Sequence, residues 1–248
     1  MRLITLVLST FICCANALAS DPISAALEHA ARPSADIEQD AKRRPDQVLR
    51  FFDLQPGMKV LDMFAGGGYY TELTAYVVGN AGKVDALNNQ AYINYVGPEK
   101  IHQRFADNRL PNARVLTQET DALDLPADYY DRIWFFLSFH DLYHVDAKNG
   151  WQKIDDARFM QTLRRALKDD GIIAITDHAA LPGTPDTSGQ ELHRIDPQLI
   201  KDRMQQWGFV LVKEGDFLQN LDDPMTIPMW DPSVRGRTNR VVMAFSKK

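Results

Sequence analysis

Cysteine is almost missing from this chain of 248 residues: both copies, Cys13 and Cys14, sit in one short segment near the start. A mature chain without that segment has no disulfide, no thiolate nucleophile and no Cys-ligated metal. Basic residues are also outnumbered, with 28 Lys and Arg against 33 Asp and Glu. The densest basic run is Lys42-Arg43-Arg44, which a solvated helix face explains. Without a dense basic patch the chain is not expected to bind nucleic acid, because backbone phosphates are held by clustered Lys and Arg. Long hydrophobic runs are missing too. The longest, Leu3 to Cys14, is too short to span a bilayer, so no stable membrane anchor is expected. There is no internal repeat and no composition break that marks a linker.

What is present begins with an export leader. Arg2 supplies a positive start, Leu3 to Cys14 an apolar core, and Ala17-Leu18-Ala19 a small-x-small cleavage site before Ser20. The expected organisation is a signal peptide over 1–19, an N-terminal helical arm over 20–45 and one α/β domain over 46–248. The expected location is the periplasm.

Within the domain, apolar periodicity switches repeatedly between short runs and helical spacing. Lys59 to Phe64 reads as a buried strand, Ala65 to Gly68 as a turn, and Tyr70 to Val78 as a helix closed by Gly79. Further strands are predicted at Lys83–Leu87, Ala113–Leu116, Asp131–Ser138 and Gly171–Thr176, and the last two at Phe209–Lys213 and Arg240–Phe245. Helices are predicted at Pro98–Phe105, along the Phe159 to Leu167 stripe, and from Asp196-Pro197 to Trp207. Strands alternating with helices imply a mostly parallel sheet covered on both faces. Asp216 to Thr238 holds three prolines and no crossover helix, so the last strand is expected to run antiparallel.

The stretch that carries chemistry is Val60-Leu61-Asp62-Met63-Phe64-Ala65-Gly66-Gly67-Gly68. Glycines at the end of a first strand let a ligand approach the backbone at the switch point of an open sheet. A dinucleotide site wants a third glycine where Thr71 stands, and Asp62 suits a cationic ligand better than a pyrophosphate. A nicotinamide-dependent oxidoreductase is therefore disfavoured.

This run resembles motif I of the class I S-adenosylmethionine-dependent methyltransferases. Val84 to Asn88 is similar to the second strand of that family, Asp121 to Pro126 to the segment against adenine, and Asp131 to Phe136 to the fourth strand. The likeness covers roughly Pro45 to Phe245. It implies a Rossmann-like α/β fold, a seven-stranded mostly parallel sheet with an antiparallel last strand and helices on both faces. It also implies S-adenosyl-L-methionine as cofactor, held by Asp62, Phe64, Ala65, Gly66, Gly68, Asn88, Asp121 and Ala122. Phe64 stands where the first motif glycine usually is, and Asn88 where an acid usually holds the ribose. Ala31-Arg32-Pro33, Tyr69-Tyr70-Thr71-Glu72, Asp177-His178 and Leu192-His193-Arg194 further resemble a group of exported bacterial proteins known only as predicted methyltransferases.

In that family the end of the fourth strand faces the donor methyl, which makes His140 and Asp141 the candidate catalytic pair, with Tyr143 shaping the acceptor site. His140, His144, Asp177, His178 and His193 are residue types that suit zinc or iron, but in sequence they form no complete ligand motif and no metal is assigned. The expected acceptor is a small molecule or a protein side chain, and oligomeric state is left open. Export raises an alternative, a non-catalytic small-molecule binding module on the same fold, because the donor is made in the cytoplasm.

Overall fold

The computed structural model describes residues 21–248, so the signal peptide expected over 1–19 lies outside the described residues. Three short helices come first: α1 (Pro22–Leu27), α2 (Ser34–Arg43) and α3 (Pro45–Phe51). They are followed by β1 (Lys59–Met63), α4 (Tyr69–Val78), β2 (Lys83–Asn88), α5 (Gln90–Val96), α6 (Pro98–Phe105), β3 (Ala113–Thr117) and β4 (Tyr130–Phe136). The second half runs α7 (Asp156–Ala166), β5 (Leu167–His178), α8 (Thr187–Glu191), α9 (Pro197–Gln206), β6 (Phe209–Gly215) and β7 (Arg240–Lys247).

The seven strands lie in the order β3-β2-β1-β4-β5-β7-β6. β1 pairs parallel with β2 and β4, while β7 is antiparallel to both β5 and β6. The chain therefore builds outward from β1 to β3, returns to β4, and builds outward again. That reversal leaves a crevice beyond the carboxyl ends of β1 and β4.

Alternation along the strands divides the core in two. On β4, Ile133 and Phe135 join Phe159, Met160, Leu163, Ile200 and Phe209 on one face of the sheet. Trp134 and Phe136 join Val48, Leu49, Leu73 and Val77 on the other. A strand covered on both faces has no polar side, which is why Asp131 to Ser138 reads as one apolar run.

Each predicted strand is found with ends shifted by a few residues, and β5 extends most, starting at Leu167. Helix α5 was not predicted. It is nucleated by Asn89, whose Oδ1 accepts the Tyr92 N–H at 2.9 Å, a cap hidden in a polar stretch that reads as loop.

The N-terminal arm is fastened to α4. Arg32 forms a bidentate pair with Asp40 at 2.7 and 2.8 Å, and Asp40 also accepts the Tyr69 hydroxyl at 2.6 Å. Arg104 of α6 draws the arm to the glycine turn: it pairs with Asp36 at 2.6 Å and with the buried Glu72, and donates to the Gly67 carbonyl at 2.9 Å.

The irregular segment between β6 and β7 is pinned by a fully buried ion pair. Arg194 holds both oxygens of Asp223, at 2.8 and 3.0 Å, and donates to the carbonyls of Ala179 and Ile227. Removing one partner strands the other charge in the core, at about 3–5 kcal/mol. Arg194→Ala should therefore lower the unfolding free energy by roughly that amount in urea titration and expose the segment to protease. Unchanged stability would show that the pair is dispensable.

Candidate functional site

The turn after β1 is shaped by left-handed backbone at Phe64 (φ 54°), Gly66 (φ 58°) and Gly68 (φ 81°). The first of these is the position that resembles a motif glycine, and the backbone accounts for that preference. A large side chain there is strained, and Phe64 is held by its neighbours instead. Its ring stacks on Tyr92 at 4.8 Å and lies parallel to Phe159 at 6.0 Å.

Asn88 closes the turn from the side. Its Oδ1 accepts the Gly66 N–H at 2.9 Å and its Nδ2 donates to the Gly66 carbonyl at 3.1 Å, so both ends of the amide are engaged. Beneath the turn, Asp62 is buried and accepts the Thr71 hydroxyl at 2.5 Å. Burial raises its carboxyl to about 6, against the pull of Thr71 and Arg43. Asp121 and Ala122 lie in an exposed turn stitched to the end of β2, where Gln118 donates to the Asn88 carbonyl and Glu119 accepts the Gln90 N–H.

Beside this turn opens a cavity of about 970 Å³. Its wall includes Tyr92 from α5, His140, Asp141 and His144 after β4, His193, and Trp230 from the segment before β7. None of the eight donor-site residues expected from sequence lines it; the two regions share a wall through the Phe64–Tyr92 stack. His140 and Asp141, by contrast, both face the cavity.

His140 opens a 3₁₀ turn, His140–Tyr143, directly after β4. Asp177, at the end of neighbouring β5 and fully buried, fixes it twice. It accepts the His140 backbone N–H at 2.7 Å and pairs with the ring Nδ1 at 2.7 Å. Burial works against this charge, but His140 and the N–H donors outweigh it and hold Asp177 below the usual carboxylate range. Burial would likewise depress His140, but the carboxylates of Asp141 and Asp177 prevail and raise it to about 9. With no cation bound beside it, the ring therefore carries a proton at neutral pH, and it acts as a base or a ligand only after losing it. Asp141 is raised by burial, and the Tyr92 hydroxyl donates to its Oδ2.

Sequence separation hides the rest of the cluster. His193 lies 53 residues from His140, yet its Nδ1 is 3.3 Å from the His140 Nε2. His144 stands 4.9 Å from His193, centroid to centroid. His178 points elsewhere: its Nδ1 bonds the Thr238 hydroxyl at 2.7 Å. The motif Leu192-His193-Arg194 signalled His193, but its partner set follows only from the fold.

Among protein families, the model of protein-L-isoaspartate (D-aspartate) O-methyltransferase matches residues 41–133. None of the curated proteins matches the chain. Among solved structures, a SAM dependent methyltransferase from Aquifex aeolicus is 22% identical with a TM-score of 0.58, over 87% of this chain and 98% of that one. An S-adenosylmethionine dependent methyltransferase from Mesorhizobium loti is 14% identical with a TM-score of 0.56, over 84% of this chain and 100% of that one. This is the class I methyltransferase fold. It is shared by the [4+2]-cyclase SpnF, at 16% identity and a TM-score of 0.56, over 84% of this chain and 81% of that one. The matched family and the Aquifex aeolicus and Mesorhizobium loti structures are all named as methyltransferases, and those two structures as dependent on S-adenosylmethionine.

Within this methyltransferase fold, His178 makes a testable contribution to acid stability. Burial lowers its imidazole from 6.5 to about 3. Between those values the unfolded chain binds a proton that the folded chain refuses, so stability falls as pH drops through that window. The slope is at most about 1.4 kcal/mol per pH unit. His178→Asn should flatten the urea-unfolding stability curve between pH 6.5 and 4 by about one proton's worth. A curve as steep as that of the parent would mean that His178 is not the group responsible.

Proposed function

We propose that this protein is an exported methyltransferase that takes its methyl group from S-adenosyl-L-methionine and gives it to a small molecule or a protein side chain in the cavity beside His140. The observation that carries the reading is the placement of the glycine turn. Gly66 to Gly68 end β1 at the reversal in strand order, and one aromatic stack separates them from a large cavity lined by titratable groups. The donor rests on the turn, with Asp62 supplying negative charge for a cationic ligand. Asn88 acts by holding Gly66 in place. The segment around Asp121 and Ala122 flanks the adenine end.

The acceptor of the matched family is not carried over to this chain by the match. The match ends at residue 133, before His140, Asp141, His193 and Trp230, which line the cavity. Isoaspartyl recognition is therefore not carried to this chain, and the acceptor is chosen by the second half of the sequence. Catalysis is mainly alignment of donor methyl and acceptor in line. Export on residues 1–19 places the enzyme in the periplasm with Ser20 at its N-terminus. N-terminal sequencing of the protein from a periplasmic fraction checks that start, and recovery of intact Met1 in the cytoplasm refutes it.

The donor site is tested by calorimetric titration of residues 20–248 with S-adenosylmethionine, S-adenosylhomocysteine and NAD. The first two should bind and NAD should not. Asp62→Ala should weaken S-adenosylmethionine roughly tenfold, as expected for one lost charge-assisted contact. Because Asp62 must be ionised to attract the donor, affinity should also fall as pH drops below about 6, and Asp62→Asn should remove that dependence. A folded sample that binds neither adenosyl ligand would overturn the methyltransferase reading and leave a binding module for another ligand.

A further inference from the structure

We infer that His140, Asp141 and His193 form a divalent metal site, of the zinc type, at the floor of the cavity. The three side chains present one atom each to a common point. His140 Nε2 is 3.3 Å from Asp141 Oδ1 and 3.3 Å from His193 Nδ1, and the remaining pair is 3.7 Å apart. Metal–ligand bonds of about 2.0–2.2 Å at the tetrahedral angle separate neighbouring donor atoms by about 3.3–3.6 Å. Two sides of the observed triangle lie in that range and the third, at 3.7 Å, lies just beyond it. Two imidazoles and one carboxylate are also a donor set that zinc accepts.

The groups behind these ligands are arranged as metal sites require. Asp177, fully buried, engages His140 Nδ1 at 2.7 Å, which leaves Nε2 to point at the common point. The Tyr92 hydroxyl occupies Asp141 Oδ2 and leaves Oδ1 free to coordinate. His193 adopts left-handed backbone (φ 47°), uncommon for a residue with a side chain, and its ring is braced edge-on against Trp230 at 4.9 Å. Beside the triangle, His144 Nδ1 is buried without a hydrogen-bond partner. It stands ready as an outer-sphere contact or an additional ligand.

Three protein ligands on the floor of an open cavity leave the fourth position to water or substrate, which is the pattern of a catalytic rather than a structural site. The site therefore selects an acceptor that coordinates through oxygen or sulfur. A bound hydroxyl or thiol releases its proton to solvent more readily. The resulting anion attacks the methyl carbon of the sulfonium. One bond forms from that carbon to the acceptor, the carbon–sulfur bond breaks, and its electron pair stays on sulfur. This last step rests on the methyl-transfer reading, whereas the metal site does not.

The test uses residues 20–248 freed of metal by a chelator, with no adenosyl ligand present. Titration with Zn²⁺ followed by calorimetry should give one site per chain, and Co²⁺ should develop the strong visible absorption of a tetrahedral centre. His193→Ala should weaken Zn²⁺ at least tenfold and abolish the Co²⁺ band while circular dichroism stays native. Asp177→Asn, which removes the charge behind His140 while keeping an oxygen for the backbone N–H groups, should weaken it roughly 10–100-fold. Absence of stoichiometric Zn²⁺ binding, or binding that His193→Ala leaves unchanged, overturns the proposal. Either result is independent of whether S-adenosylmethionine binds.

Discussion

A single buried carboxylate, Asp177, organises the working end of this molecule. An ionised group taken wholly out of water is costly unless its lone pairs are used. Here they are used by the backbone N–H groups of His140 and His178 and by the His140 ring. Because Asp177 ends β5 and His140 follows β4, the same bonds lock the turn after one strand to the tip of the next. The direction of the His140 ring, the position of Asp141 beside it and the floor of the cavity all descend from that lock. The glycine turn has a separate anchor in Arg104, which joins the arm, the buried Glu72 and the Gly67 carbonyl.

The parts of this architecture that local periodicity encodes were legible in the sequence. Strand, glycine turn and helix over residues 59–78 announce themselves through a change of period, and the proline-rich stretch before β7 foretells an antiparallel last strand. Contacts between distant residues were not legible. Asn88 sits where a ribose ligand is expected by spacing, yet its amide is consumed by Gly66, 22 residues earlier. His193 joins His140 only because the chain between them folds back along β5, and Arg194 beside it is buried by a partner 29 residues further on. Phe64 looks like a departure from the glycine pattern. The fold explains it, since stacking with Tyr92 and Phe159 steadies a backbone that glycine adopts more easily.

The two halves of the protein carry different kinds of information. The first half, into β4, matches a family model over residues 41–133. The second half supplies His140, His144, His193 and Trp230, which that model does not reach. A neighbour with the same fold performs a cycloaddition. The scaffold alone therefore specifies little of the chemistry.

The position of the last strand bears on how the chain comes to be folded at all. β7 lies between β5 and β6, so β6 has no neighbour in the sheet until residues 240–247 are in place. The same strand contributes Val241, Met243 and Phe245 to one core and Val242 and Ala244 to the other. A chain emerging from a ribosome amino end first therefore leaves both hydrophobic layers open until its final turn of synthesis. If the chain is exported as proposed, late closure of this kind is an advantage for threading it through a translocation pore. The molecule stays pliable for as long as its tail is still being made, and gains its shape only when the whole length is on hand.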